Sequence, residues 1–225
     1  MKSLVKVKLI AYNKPIYGGG DPRKLAVLAS KVSTGKLKEK NFEYYLSKEY
    51  PEDKTSQWII AAAHGFPSVL EHIVFTFLIE DISRVTSHQL VRHRIASYTQ
   101  ESQRYSSCER DYIIPNTIKL SPEIRDKYEK LVKEAYELYE EMLCKNIPYE
   151  DARFILPQAV KTRILMTLNL RELIHIASLR LCSKAQWEIR EVVEGMINEA
   201  SKVIPELNVI KDELKKRCGS SLLGS

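Results

Sequence analysis

The sequence predicts an α+β fold, and three observations carry that expectation. Long stretches place apolar residues at helical spacing. Only a few short segments have the alternating or β-branched character of strands, and the two kinds do not follow the βαβα rhythm of a doubly wound sheet. At 225 residues the chain can bury a substantial core without disulfides or a structural metal. No stretch rich in Pro, Gly or Ser divides it, so one domain over residues 1–225 is expected.

The elements are read in order. Val5, Val7 and Leu9 alternate with lysines, which predicts a half-buried strand and an antiparallel member of a sheet. Tyr17-Gly18-Gly19-Gly20 breaks the chain before a helix that starts near Pro22. Thr55 to His64 read as a helix stopped by Gly65, and His72 to Ile79, rich in β-branched and aromatic residues, as a strand buried on both faces. Ile82 to Ile95 then read as helix. Ser121-Pro122-Glu123 has a serine cap, a first-turn proline and an early acid. The helix it opens places Tyr128, Leu131, Val132, Ala135, Leu138 and Met142 on one face and ends near Asn146, ahead of Pro148. Arg163 to Thr167 is a short strand, and Leu170 to Ile204 is helical with a break near Ser183. The tail, 218–225, is expected to fray.

Lys and Arg total 35 against 29 Asp and Glu, a net charge of +6, which favours anionic partners: nucleotides, cofactor phosphates or nucleic acid. The four cysteines, Cys108, Cys144, Cys182 and Cys218, are spread evenly with no CxxC pair. That spacing argues against a zinc module and a dense disulfide framework, and fits a reducing cytoplasm; no metal is expected. Lys6 and Lys8 interrupt the apolar N-terminal stretch, so it does not read as a signal peptide. No segment approaches the roughly 20 apolar residues that span a bilayer, so no membrane partner is expected.

The densest polar cluster is Arg92-His93-Arg94, followed by Ile-Ala-Ser-Tyr-Thr-Gln100-Glu101 and then Ser102-Gln103-Arg104. On a helix the three basic residues point about 100° apart, so they either grip a large ligand or partly face protein. Gln89 and Arg92 would share a helix face and could offer amide and guanidinium donors together to an anion. The loop beyond adds hydroxyl, amide and guanidinium donors from Ser102, Gln103 and Arg104, a set that suits a phosphate and the edge of a pyrimidine. The plainer reading is a basic helix end favoured by the macrodipole. A competing class is a nucleic-acid-binding stripe over 92–110 with Tyr98, Tyr105 and Tyr112 as stacking platforms, though Glu101, Glu109 and Asp111 interrupt it.

Ser102 has no clear Ser/His/Asp arrangement around it and reads as a ligand binder, not a nucleophile. His72 reads as a core histidine in preference to a cofactor contact, His64 stays open between the same two readings, His88 reads as packing or capping, and Tyr128, Tyr136 and Tyr139 as core.

Arg-His-Arg, seven residues, then Ser resembles the signature of the flavin-dependent thymidylate synthases. Further segments are similar to that family in the right order: Ser68-Val-Leu-Glu71-His72 to Phe77 before the signature, Ala152-Arg153-Phe-Ile-Leu-Pro157 after it, then Asn169-Leu-Arg171, His175, Arg180 and Ala185-Gln186-Trp187-Glu188-Ile189-Arg190. The resemblance runs from about Ala29 to Arg190. It implies a homotetramer of α+β subunits, each with mixed helices and a small, mainly antiparallel sheet, with active sites where subunits meet. It also implies reductive methylation of dUMP to dTMP in the cytoplasm, with bound FAD, 5,10-methylenetetrahydrofolate as one-carbon donor and NADPH as hydride source, and no nucleic-acid partner. A flavoprotein of the same fold acting on another substrate is the alternative within this resemblance.

Carried over residue by residue, the resemblance assigns Arg92, His93, Arg94, Ser68, Asn169, Arg171 and His175 to FAD, with Ser33 a weaker match. For dUMP it assigns Gln89, Arg92, Gln100, Glu101, Ser102, Gln103, Arg104, Arg153 and Arg180. Arg180 matches the residue that assists ionisation at pyrimidine N3 and is the catalytic candidate. The family commonly has an acid two residues before the serine; here Gln100 holds that position and the acid is Glu101.

Overall fold

The computed structural model describes residues 5–108 and 110–220. The tail beyond Ser220, Glu109 and the first four residues, on which parts of the reading above fall, lie outside the described residues. In chain order come β1 (Lys6–Tyr12), α1 (Arg23–Ser33), α2 (Phe42–Ser47), α3 (Glu52–Gly65), a 3₁₀ turn (Pro67–His72), β2 (Val74–Ser83), α4 (Arg84–Leu90) and β3 (Ala96–Gln100). They are followed by α5 (Asn116–Lys119), α6 (Pro122–Cys144), α7 (Tyr149–Ala152), a 3₁₀ turn (Arg153–Ile155), β4 (Lys161–Asn169), α8 (Leu170–Arg180), α9 (Trp187–Ala200) and α10 (Glu206–Ser220).

The four strands form one antiparallel sheet in the order β1-β2-β4-β3, which gives the expected α+β class. Side chains alternate across a strand, so Phe75, Phe77 and Ile79 of β2 and Ile164, Met166 and Leu168 of β4 share one face. That face is buried against α8 and α9 through Ile176, Ile189, Val193 and Met196, each burial contributing about 1.5–3 kcal/mol. Gly195 lets α9 lie close on β1: a Cβ there would stand 2.9 Å from Cγ2 of Val7. The opposite face is less covered, with Leu165 exposed and Thr76 and Thr167 hydrogen-bonded at 2.9 Å.

Several elements differ from the sequence reading. The helix expected over 82–95 is confined to α4: Ile82 and Ser83 finish β2, and the chain re-enters the sheet as β3. The backbone N–H groups of Arg92 and His93 bond to the carbonyls of Gln89 and Leu90, three residues back, so the helix tightens and stops. Arg92 and His93 therefore sit in a turn, not on the helix face shared with Gln89. β2 begins at Val74, after the turn that contains His72; His72 is exposed, so it is not a core histidine. Ser121 is the α6 N-cap by position, but its side chain makes no capping bond.

On α6 the buried residues are Val132, Tyr136 and Tyr139, whereas Leu131 and Leu138 are exposed. The tyrosines fix that face because their hydroxyls find partners on the segment after β3. Tyr136 donates to the Asp111 carbonyl at 3.0 Å, Tyr128 to the Ile113 carbonyl at 3.0 Å, and Tyr139 accepts from Cys108 N–H at 3.2 Å. The structural reading of these tyrosines therefore holds.

The helical region from Leu170 is interrupted between Arg180 and Trp187, and α10 spans Glu206–Ser220. Cys182 and Cys218 form a disulfide that ties α10 to this interruption. It is one bridge, not a framework, and no CxxC spacing announces it. Among the described residues no helix is long and apolar enough to cross a membrane, and no group of three His, Cys, Asp or Glu residues is placed to hold a metal ion.

Candidate active site

The site is built on the α4 to β3 connection. Ser83 caps α4, its Oγ accepting from Thr86 N–H at 3.2 Å. The buried Glu188 carboxylate, at the start of α9, secures the same corner by accepting from Ser83 N–H at 2.6 Å, Ser83 Oγ–H at 2.5 Å and Thr86 Oγ1–H at 2.7 Å. Three donors satisfy a charge that would otherwise be costly to bury. Gln186 caps α9 by accepting from Ile189 N–H at 3.0 Å. Gln186 and Glu188 thus fix the helix that carries Gln89 and leads into Arg92-His93-Arg94.

At the other end of α4, the Tyr98 hydroxyl of β3 lies 2.9 Å from the Leu90 carbonyl and 2.8 Å from the His93 carbonyl, and shares its proton between them. The Leu90 carbonyl, which closes α4, also accepts from His93 N–H at 3.1 Å, so the hydroxyl adds a second donor at the helix end. Burial, then the nearby Glu172, pushes the Tyr98 phenol well above its ordinary range, so it stays a donor. His93 is buried by this arrangement, whereas Arg92 and Arg94 are exposed.

His93 meets Arg180, the last residue of α8: Arg180 Nε–H donates to His93 Nε2 at 3.1 Å. Burial pushes the His93 pKa down to about 4, with the charge of Arg180 and then His175 acting the same way. His93 is therefore neutral at pH 7. Among the described residues Arg180 has no carboxylate partner, and its hydrogen bond to His93 uses Nε and not the two terminal nitrogens. A half-buried guanidinium of this kind can stabilise negative charge that develops on a bound ring.

The donors assigned to the cofactor gather at the same end of the sheet. Ala96, which opens β3, pairs with Leu168, next to Asn169. Asn169 caps α8 by accepting from Glu172 N–H at 2.8 Å, and Arg171 is paired with Glu71 in the turn that holds the exposed Ser68. His175 is exposed one turn further along α8. Asn169 and Arg171 thus have structural partners, while Arg92 and Arg94 have no carboxylate partner among the described residues. Ser33 closes α1, donating to the Ser30 carbonyl at 3.1 Å.

The loop from Gln100 to Arg104 lies at the opposite end of β3. Gln100 is turned inward, donating to Ser87 Oγ at 2.9 Å and Thr162 Oγ1 at 3.3 Å. Glu101 faces Arg163 at 3.6 Å. Ser102 Oγ accepts from Arg104 N–H at 3.1 Å, and Gln103 donates to Cys108 Sγ at 3.3 Å. Glu150 joins this loop to Arg153: its carboxylate takes Arg104 Nε at 2.6 Å and its carbonyl takes Arg153 Nε at 3.1 Å. β3 itself, four residue steps of about 3.3 Å, spans roughly 13 Å between this loop and the Ala96 end.

This geometry separates the sequence-predicted residues into two groups, one at each end of β3, and comparison with known proteins identifies the family they belong to. The family model described as thymidylate synthase complementing protein matches residues 8–206. A flavin-dependent thymidylate synthase from Saccharolobus solfataricus is 46% identical over 209 residues, 91% of this chain and 75% of the relative. The chain belongs to the flavin-dependent thymidylate synthase family. A second member, from Thermococcus onnurineus, is 42% identical over 216 residues, covering 90% of this chain and 81% of its own. Among solved structures, the crystal structure of a UMP/dUMP methylase, PolB, from Streptomyces cacaoi bound with 5-Br dUMP superposes with a TM-score of 0.76. It is 25% identical, and the match covers 92% of this chain and 94% of that one.

The family resemblance assigns residues to the ligands and contains Glu188 without giving it a role. The hydrogen-bond geometry shows that Glu188, Tyr98 and Glu150 hold the signature and the loop in place. Of the three tyrosines read as stacking platforms, Tyr98 is tied to two carbonyls, Tyr112 packs against Tyr128, and Tyr105 is exposed beside Arg104. They form no common platform.

Proposed function

We propose that this chain, as a single catalytic domain, methylates C5 of dUMP to give dTMP, with FAD bound, 5,10-methylenetetrahydrofolate as one-carbon donor and NADPH as hydride source. The observation that carries the reading is the Arg180–His93 bond, which joins the signature to a guanidinium through Nε and not its terminal nitrogens. Arg180 donates to the uracil N3 region and its neighbouring carbonyl; charge stabilised there makes C5 nucleophilic. His93 holds Arg180 in place as a neutral acceptor. Gln89, Arg92 and the loop from Gln100 to Arg104, with Arg153, orient the nucleotide and its phosphate.

The donor set at the Ala96 end of β3 fits FAD. Arg92 and Arg94 lack carboxylate partners and sit near Ser68, Asn169, Arg171 and His175, which suits a pyrophosphate and its flanking groups. When bound, the flavin supplies the hydride acceptance from NADPH and the one-carbon reduction that no side chain can provide.

Assembly into a homotetramer accounts for the separation of the two groups along β3: each nucleotide would take its phosphate contacts and its Arg180 from different subunits. The less covered sheet face with Leu165 supports such an assembly.

Release of tritium from dUMP labelled at C5 tests the reading, with FAD, methylenetetrahydrofolate and NADPH together and with each omitted, and with labelled UMP in parallel. Release that requires flavin is expected. Folded, flavin-loaded protein that releases tritium only from UMP, or from neither nucleotide, would overturn the substrate.

A further inference from the structure

The basic charge of the chain is unevenly spread. Residues 31–48 carry five lysines against two glutamates, a net +3 and so half of the +6 of the whole chain. Lys36 pairs with Glu39, and Glu43 accepts from Asn41 Nδ2 at 3.2 Å; Glu49, just beyond the run, is taken by Lys24. Lys38, Lys40 and Lys48 are exposed, and among the described residues none of the three forms an ion pair with a carboxylate.

Two of these cations are gathered by one ring. Lys40 Nζ stands 5.6 Å and Lys48 Nζ 6.0 Å from the centre of the Tyr44 ring, and Lys48 Nζ is also 5.5 Å from that of Tyr50. Phe42 and Tyr44 are exposed, and Phe42 meets Tyr17 edge-on at 5.6 Å. The scaffold beneath is fixed. Asn41 caps α2 by accepting from Tyr44 N–H at 3.0 Å, and the buried Tyr45 donates to the Lys36 carbonyl at 3.1 Å, tying α2 to the 3₁₀ turn Lys36–Lys38. Like charges held close in this way repel unless an anion lies between them.

The donors select the anion. Lysines are compact point charges, here strung along a surface that contains no arginine fork, so they suit separate carboxylates on a chain better than one compact phosphate. The exposed rings suit an apolar or aromatic stretch of the same ligand. α2 packs on α1, and α1 packs on the turn Pro67–His72 that holds Ser68, with Ala26, Val69 and Leu70 in one core cluster. The patch is thus one helix away from an element assigned to the flavin, within reach of a co-substrate's tail.

We propose that the lysine–tyrosine patch around Tyr44 binds the acidic tail of the one-carbon carrier, a chain of γ-linked glutamates whose carboxylates meet Lys38, Lys40 and Lys48. This rests on the reading that a folate is the one-carbon donor.

The test compares a folate tail of one glutamate with a tail of four, in the unaltered chain and in Lys40→Gln/Lys48→Gln. KM values for methylenetetrahydrofolate come from tritium release, and affinities for tetrahydrofolate from calorimetric titration of the flavin-loaded protein. The unaltered chain should favour the longer tail about 5- to 10-fold in both, the effect of a few exposed ion pairs, and less so as salt is raised. The double substitution should bring the ratio of the two tails close to one, with the KM for NADPH unmoved; Lys40→Arg/Lys48→Arg, which keeps the charges, should keep the preference. No preference in the unaltered chain, or a preference intact in Lys40→Gln/Lys48→Gln, overturns the proposal. A raised KM for NADPH in place of the tail effect overturns it too and gives the patch to phosphates. If the double variant does not fold, Lys48→Gln alone is read in the same way. Absence of turnover with either tail overturns the functional reading, and the titration then still decides the patch.

Discussion

Arg180 Nε–H donates to His93 Nε2 across 3.1 Å, and this bond requires a lone pair on the imidazole. His93 is therefore neutral, with its proton on Nδ1. Residues 87 apart in sequence are joined by a contact that fails if the histidine becomes charged.

A dependence of stability on pH follows. The His93 pKa is about 4 in the folded chain against 6.5 ordinarily, so between these values the unfolded chain binds more protons. The stabilisation is complete above about pH 6.5 and is lost as pH falls toward 4, an effect of order 3 kcal/mol. Urea unfolding at pH 7, 5.5 and 4.5 should show this slope in the unaltered chain and a shallower one in His93→Gln. Equal slopes would remove His93 as the titrating group.

Arg180 and Arg94 should separate turnover from cofactor retention. Arg180→Ala should keep its flavin and lose turnover by at least about 100-fold, as removal of a donor aimed at developing charge does. Arg94→Ala should instead weaken flavin binding in a fluorescence titration. Full turnover in the first variant, or an unaltered titration in the second, would contradict the assigned role.

How much of this was legible in the sequence depends on the range of the forces involved. β1 is visible as alternation and β4 as a short apolar run, because each signal lies within its own segment. β3 is not: Ala-Ser-Tyr-Thr-Gln has little apolar character, and its strand form comes from pairing with β4, more than 60 residues on. Leu131 and Leu138 follow helical spacing yet remain exposed, because buried tyrosine hydroxyls that need acceptors choose the α6 face. The signature and Arg180 are readable as a family pattern, but their contact is not.

Glu188 should matter more for stability than for chemistry. Its carboxylate accepts three hydrogen bonds from Ser83 and Thr86 in a buried setting, so Glu188→Ala leaves those donors unsatisfied and should cost about 3 kcal/mol or more. The same change frees the start of α4 and should weaken flavin retention in step with the loss of fold. Normal unfolding behaviour with absent turnover would instead make Glu188 part of the reacting site.

The disulfide gives a thiol count that can be checked directly. Cys108 and Cys144 take no part in the disulfide, so the chain denatured without reductant should titrate two thiols, and four after reduction. A loop of 36 residues closed by Cys182–Cys218 is worth about 4 kcal/mol in the chain-entropy account. Cys182→Ser should therefore lower the thermal midpoint by roughly 8–16 °C for a chain of this size. Because Cys182 lies two residues beyond Arg180, the same variant should raise the KM for dUMP if the bridge steadies that guanidinium. Four thiols in the unreduced chain would mean that α10 is held without the bridge, by the packing of Leu207 and Ile210 and by ion pairs such as Lys215–Glu194 and Arg23–Glu206, and the KM of Cys182→Ser should then match the unaltered value.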